Sequence, residues 1–70
     1  MKLSARNILK GTVKSITQGA VNSEVVIELQ GGEEIVAVIT KASVENLGLE
    51  EGKIAYAVIK ASSVIVAVDD

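Results

Sequence analysis

The chain has 70 residues, a formal charge of −2 and 49% apolar residues, with no Cys, no His and a single aromatic residue, Tyr56. That composition excludes disulfides, thiolate metal sites and imidazole general bases, and an acidic balance argues against a general affinity for nucleic acid or an anionic membrane. One domain spanning residues 1–70 is expected, and a domain this small buries little surface, so oligomerisation is the remaining way to stabilise it.

The N-terminus carries no apolar run of the length a signal peptide or spanning helix needs, which makes a soluble cytoplasmic protein the expectation. From Leu9 to Ile16, "LKGTVKSI" alternates apolar and polar residues and predicts a first strand, with Gly11 marking a bend or bulge. "QGAVN" then turns. "SEVVIELQ" predicts a second strand, placing Val25, Ile27 and Leu29 on one face and Glu24, Val26 and Glu28 on the other. "QGGEE" is a Gly-Gly hairpin signal, and "EIVAVIT" reads as a third strand. In "TKASVENLGLEEGK" the period changes. Ser43 offers an N-cap, Gly48 a stop, and a short helix is predicted over Val44–Leu47. After a turn on Gly52, "IAYAVIK" and "SVIVAV" read as the last two strands, joined at Lys60-Ala61-Ser62.

This order predicts an all-β fold: a five-stranded, OB-like small barrel with one short helix between strands 3 and 4. An SH3-like barrel is the alternative. Two strands are apolar on both faces. In "IAYAVIK", Ile54, Tyr56 and Val58 lie on one side and Ala55, Ala57 and Ile59 on the other, and "EIVAVI" behaves likewise. A strand of a lone small barrel has one wet face, so a second subunit is expected to cover these strands.

Catalysis is not expected. The paired carboxylates Glu33-Glu34, Glu50-Glu51 and Asp69-Asp70 fall in predicted turns or at the terminus, where solvated charge is the ordinary role. They lack the alternating oxygen spacing of a calcium loop, and no metal held by direct coordination is expected. One Tyr in an apolar strand is a poor platform for bases, which argues against nucleic acid as a partner.

A small anion fits better, because it needs converging donors: cationic side chains, hydroxyls and free backbone N–H groups. "SAR" supplies Ser4 and Arg6, the only arginine, on one face of an extended segment. "KASS" supplies Lys60, Ser62 and Ser63 at a turn. "TKAS" supplies Thr40 and Ser43 at the start of the helical turn, where unpaired N–H groups favour negative charge. Each has an ordinary alternative: an N-cap for Ser43, turn residues for Lys60 and Ser62, and a surface ion pair for Arg6.

The segments "SARNILKGTV", "GAVNSEVVIEL", "ITKASVENLGLEEG" and "VIKASSVIV" resemble the molbindin proteins, stand-alone versions of the TOBE (Mop) domain, from Ser4 to Val66. The resemblance implies an OB-like fold and a homo-oligomer, a hexamer built as a trimer of dimers. It also implies that molybdate or tungstate is bound as an intact anion at subunit interfaces, without a covalent cofactor. Carried onto this chain, one type of site uses Ser4, Arg6, Lys60, Ala61 and Ser62 of one subunit with Thr40 and Ser43 of its neighbour. A second type falls around Gly19, Ala20, Val21, Asn22 and Ser23. Storage or buffering of the oxyanion is the implied role, and no pterin site is legible beside a lone Tyr56. The doubly apolar strands also suit a structural or regulatory oligomerisation module in which anion binding is secondary.

Overall fold

A computed structural model describes residues 1–70. Strand β1 spans Asn7–Gln18, β2 Asn22–Leu29, β3 Glu34–Thr40 and β4 Ile54–Ile59, with helix α1 over Lys41–Leu47 between β3 and β4. All pairings are antiparallel, and the four strands form one curled sheet in the order β3-β2-β1-β4. A single 3-10 turn, Ala61–Ser63, follows β4.

Alternation in the sequence explains which face is dry. In the ladders Val13 lies opposite Ile27, Ile27 opposite Ile35, Val25 opposite Ala37, and Leu9 opposite Ala57, so apolar side chains stack on one face. Val13, Val25, Ile27, Ala55 and Ala57 are buried there, and Val44 of α1 packs onto them. The outer faces of β3 and β4 are apolar as well, and Val36, Val38, Ile54, Tyr56 and Val58 are exposed. Only 7 of 70 residues are buried, which is a small core for any autonomous domain.

The position of Gly11 has a different cause from the one its sequence context implies. Gly11 sits within the ladder, opposite both Leu29 and Ala55. A Cβ there would lie 2.5 Å from the Glu28 carbonyl oxygen and 2.7 Å from Ile27 Cγ2. Gly11 therefore permits close approach of β2. The bulge falls instead between Val13 and Ser15, leaving Lys14 as the extra residue. Lys14 crosses β2 to pair with Glu34 of β3. The hydrogen bond to Glu34, followed by the charge of that carboxylate, raises the Lys14 pKa above its ordinary value. The contribution of the pair is present below the ordinary lysine pKa and fades as pH rises through the raised one. As an exposed pair it contributes little to stability.

Helix α1 begins three residues earlier than its sequence pattern predicts, and Thr40, not Ser43, is its N-cap. Thr40 ends β3 in an extended conformation (φ −69°, ψ 152°), and its Oγ1 accepts from the Ser43 N–H at 3.1 Å. Gly48 ends the helix in the left-handed conformation (φ 61°), donating to the Glu45 carbonyl at 3.0 Å while the Leu49 N–H donates to Val44 at 3.1 Å. This is a Schellman closure.

The expected fifth strand is not formed within the chain, and the sheet is not a closed five-stranded barrel. Val64–Val68 makes no ladder, and Ile65, Val66 and Val68 are 94%, 84% and 87% exposed. The chain holds 32 backbone–backbone hydrogen bonds, against about 50 for a compact domain of this length. Its radius of gyration is 13.0 Å, against about 11 Å for a compact chain. The reason is the one given by the apolar outer faces. The outer edges of β3 and β4 have no partner in this chain, and one chain has too little apolar surface facing inward to wrap the tail back onto itself.

Two substitutions test these assignments at fixed protein concentration. Gly11→Ala should destabilise by about 1–3 kcal/mol, because the new methyl meets backbone that cannot move alone; an unchanged urea midpoint would contradict the close approach. Ser23 is 1% exposed and its hydroxyl has no partner. Ser23→Ala should therefore leave stability within about 1 kcal/mol of the parent or raise it; a larger loss would show that the hydroxyl is satisfied.

Candidate functional site

Antiparallel pairing of β1 with β4 sets the site. Asn7 lies opposite Ile59, so the residues that enter β1 and those that leave β4 emerge at the same end of the sheet. The Asn7 side chain donates to the Ile59 carbonyl at 3.2 Å and pins this end. Beyond it, Ser4, Ala5 and Arg6 face Lys60, Ala61 and Ser62 across an open cleft of about 410 Å³. Lys60 caps the 3-10 turn, whose own bonds run from the Ser63 N–H to the Lys60 carbonyl (2.9 Å) and from the Val64 N–H to Ala61 (3.3 Å). The N–H groups of Ala61 and Ser62, at the start of that turn, have no acceptor in the chain.

The charge in the cleft is all of one sign. Arg6 and Lys60 are its only ionisable residues, and neither forms an ion pair, the single salt bridge of the chain being Lys14–Glu34. Two cations, the hydroxyls of Ser4 and Ser62, and two unpaired amides are what a tetrahedral dianion requires. A second depression, lined by Lys10, Thr12, Glu28 and Gln30 among others, sets a carboxylate beside its lysine and does not suit an anion. A third, walled by β2, β3, β4 and the helix end, is lined by apolar side chains and Tyr56 and has no cationic side chain to offer one.

Of the predicted first-type residues, the structure brings together Ser4, Arg6, Lys60, Ala61 and Ser62. It does not bring Thr40 and Ser43 to them. Thr40 lies opposite Asn22, just past the far end of β1, and the length of β1 separates the two groups by roughly 35 Å of strand. At that far end the Thr40 hydroxyl donates to Ser43 Oγ at 2.8 Å while Thr40 Oγ1 accepts from the Ser43 N–H. Both side chains are thereby oriented.

The second group, Gly19–Ser23, forms the β1–β2 turn and the first residues of β2 beside this same helix start. The Val21 carbonyl accepts from the Lys41 N–H at 2.9 Å, and the Gly19 N–H donates to Asn22 at 2.8 Å. The Gly19 amide is thus already committed, and Ser23 is buried on the core face. Ala20, Val21 and Asn22 are exposed. Ala5 and Asn7 were not singled out by donor chemistry, yet Ala5 lines the cleft and Asn7 anchors it. The signal that marks both is their place inside the S-A-R-N run.

Over residues 3–66 the chain matches the TOBE domain. It is 52% identical over 69 residues to a probable molybdenum-pterin-binding protein of Haemophilus influenzae, covering 99% of this chain and all of that one. It is 44% identical over 66 residues to molybdenum-pterin-binding protein 3 of Clostridium pasteurianum, covering 94% and 97%. Among solved structures it is similar to MopII from Clostridium pasteurianum, with a TM-score of 0.90, 43% identity and coverage of 96% of this chain and 100% of that one. It is also similar to the cytoplasmic molybdate-binding protein ModG with molybdate bound, with a TM-score of 0.90 and 62% identity over 93% of this chain and 46% of ModG. Sheet, cleft and relatives agree: the chain belongs to the TOBE-domain family, among its molybdenum-pterin-binding, or molbindin, members.

Proposed function

We propose that this protein binds molybdate, or the closely matched tungstate, as an intact dianion at the subunit interfaces of a homo-oligomer, and that it stores or buffers the oxyanion in the cytoplasm. The observation that carries this reading is the cleft at the β1–β4 end, where Arg6 and Lys60 converge with Ser4, Ser62 and two free amides and no carboxylate intervenes. Relatives named for molybdenum-pterin binding, and ModG with molybdate bound, supply the identity of the anion. Taking a dianion out of water is expensive unless charge and donors surround it. In this reading Arg6 and Lys60 supply the charge, and hydroxyls and amides saturate the remaining oxygens. The role is binding, with no catalytic step.

One chain leaves that cleft open to solvent. The second wall, Thr40 and Ser43, belongs in this reading to a neighbouring subunit, because it lies beyond reach within the chain. The exposed apolar residues of Val64–Val68 and of the outer faces of β3 and β4 support assembly, and a hexamer made of three dimers gives each cleft such a neighbour. An anion bound only by the assembled form stabilises it by linkage, about 2.7 kcal/mol at a free concentration of 100 times Kd. Many equivalent sites per particle suit buffering.

The same exposed apolar surface favours a second reading, a structural or regulatory oligomerisation module. Titration separates the two. Calorimetry with molybdate and tungstate should give saturable binding, accompanied by a rise in melting temperature. Arg6→Ala should weaken that binding by roughly 2–5 kcal/mol, the range for removing a desolvated charge from a paired site. No heat with either anion would defeat the binding reading. An assembly that melts at the same temperature with and without molybdate would favour the module, and an Arg6→Ala effect below about 0.5 kcal/mol would place that guanidinium at the solvated surface.

A further inference from the structure

We infer that Asn7 is a positioning residue of the anion site: it fixes where Lys60 and the amides of the 3-10 turn stand relative to Arg6, and so sets affinity without touching the anion. The inference rests on the reading that the cleft holds an oxyanion. The first sign is a break in the pattern of β1. From Asn7 to Val13 the more buried positions are Asn7, Leu9, Gly11 and Val13, and the residues between them are exposed. At the first step a polar amide takes the inward position while its neighbour Ile8 is left 41% exposed. The reverse placement would suit the sheet better, and a locally broken rule is where a functional constraint is expected.

The amide has one specific partner. Asn7 Nδ2 donates to the Ile59 carbonyl at 3.2 Å, and this is the only side chain-to-backbone bond that joins two strands. It is part-buried, so water competes for it less. No rung of the β1–β4 ladder lies beyond Asn7–Ile59, which makes the side-chain bond the last tie before the two segments part into the cleft. Asn7 directly follows Arg6, and Ile59 directly precedes Lys60, yet Asn7 itself does not line the cleft. The Ile59 carbonyl shares a planar peptide unit with the Lys60 N–H, so holding that oxygen fixes the plane from which Lys60 starts. The next backbone donors are the free N–H groups of Ala61 and Ser62. Arg6 and Lys60 carry like charge and repel one another when no anion lies between them. A tie one residue away from each cation opposes that splaying, and less ordering is then left to be done when the anion enters.

Asn7→Leu closely matches the shape of the side chain, removes the donor and restores the apolar pattern of the inward face. Its affinity for molybdate, read by calorimetry on the assembled protein well below its melting temperature, should fall roughly three- to ten-fold, the net worth of one hydrogen bond. Ile27→Val thins the core away from the cleft and serves as the control. It should lower the melting temperature and bind molybdate as the parent does. A merely structural role for Asn7 would move the melting temperature and leave affinity in place. A loss of affinity confined to Asn7→Leu therefore supports the inference. Parent affinity in Asn7→Leu overturns it and leaves the proposed function standing, as does an equal loss in Ile27→Val. If Asn7→Leu does not assemble, Asn7→Ala is judged by the same two outcomes. Failure of the parent to bind molybdate overturns the proposed function and this inference together.

Discussion

Pairing of β1 with β4 is the interaction on which the rest of the structure depends. It joins residues near the two ends of the chain, Asn7 with Ile59, across 52 positions. Without it, Ser4-Ala5-Arg6 and Lys60-Ala61-Ser62 would be unrelated termini. With it they become the two sides of one cleft. Gly11 serves the neighbouring β1–β2 ladder on the opposite edge of β1, since only a residue without Cβ lets β2 pack against that point. A single strand thus carries both the sheet register and the placement of the cationic groups, and a change that shifted its register would dissolve the cleft along with the core.

A second constraint is shortage of apolar surface facing inward. Six apolar residues form the buried core, while the tail and two outer strand faces turn Val and Ile side chains outward. In water that arrangement is unfavourable for a lone chain, and in the proposed reading another copy covers it. Assembly and anion binding are then linked in the proposed reading. In that reading a neighbour that covers the exposed apolar surface also supplies the second wall of the cleft.

Much of this was legible in the sequence, and the gaps have physical reasons. β3 is found over Glu34–Thr40, where the apolar run of "EIVAVIT" puts it, and the Gly-Gly hairpin falls between β2 and β3. A short β-branched apolar run bounded by a Gly-Gly turn leaves little freedom there. The apolar, β-branched run "SVIVAV" predicts a fifth strand, but such a run reports only that a segment suits a sheet, not which chain supplies its partner. Ser43 looked like the helix cap because it precedes the apolar Val44. The earlier hydroxyl, Thr40, took the role because β3 ends there in an extended conformation that leaves its side chain over the Ser43 amide. The cationic cleft was legible from residue types alone, whereas its closeness depended on a long-range pairing. The distance of Thr40 and Ser43 from it is invisible without coordinates.

Whether the two walls belong to different subunits is the central claim, and subunit mixing tests it most directly. Arg6→Ala removes one wall, and the double change Thr40→Ala, Ser43→Ala removes the other. Each variant alone should bind molybdate poorly. Co-assembled from a mixture of unfolded chains, the two should regain a fraction of parent-affinity sites, formed wherever an intact cleft meets an intact second wall. Failure of the mixture to regain any tight site, with mixed oligomers demonstrated by mass, would contradict a shared site.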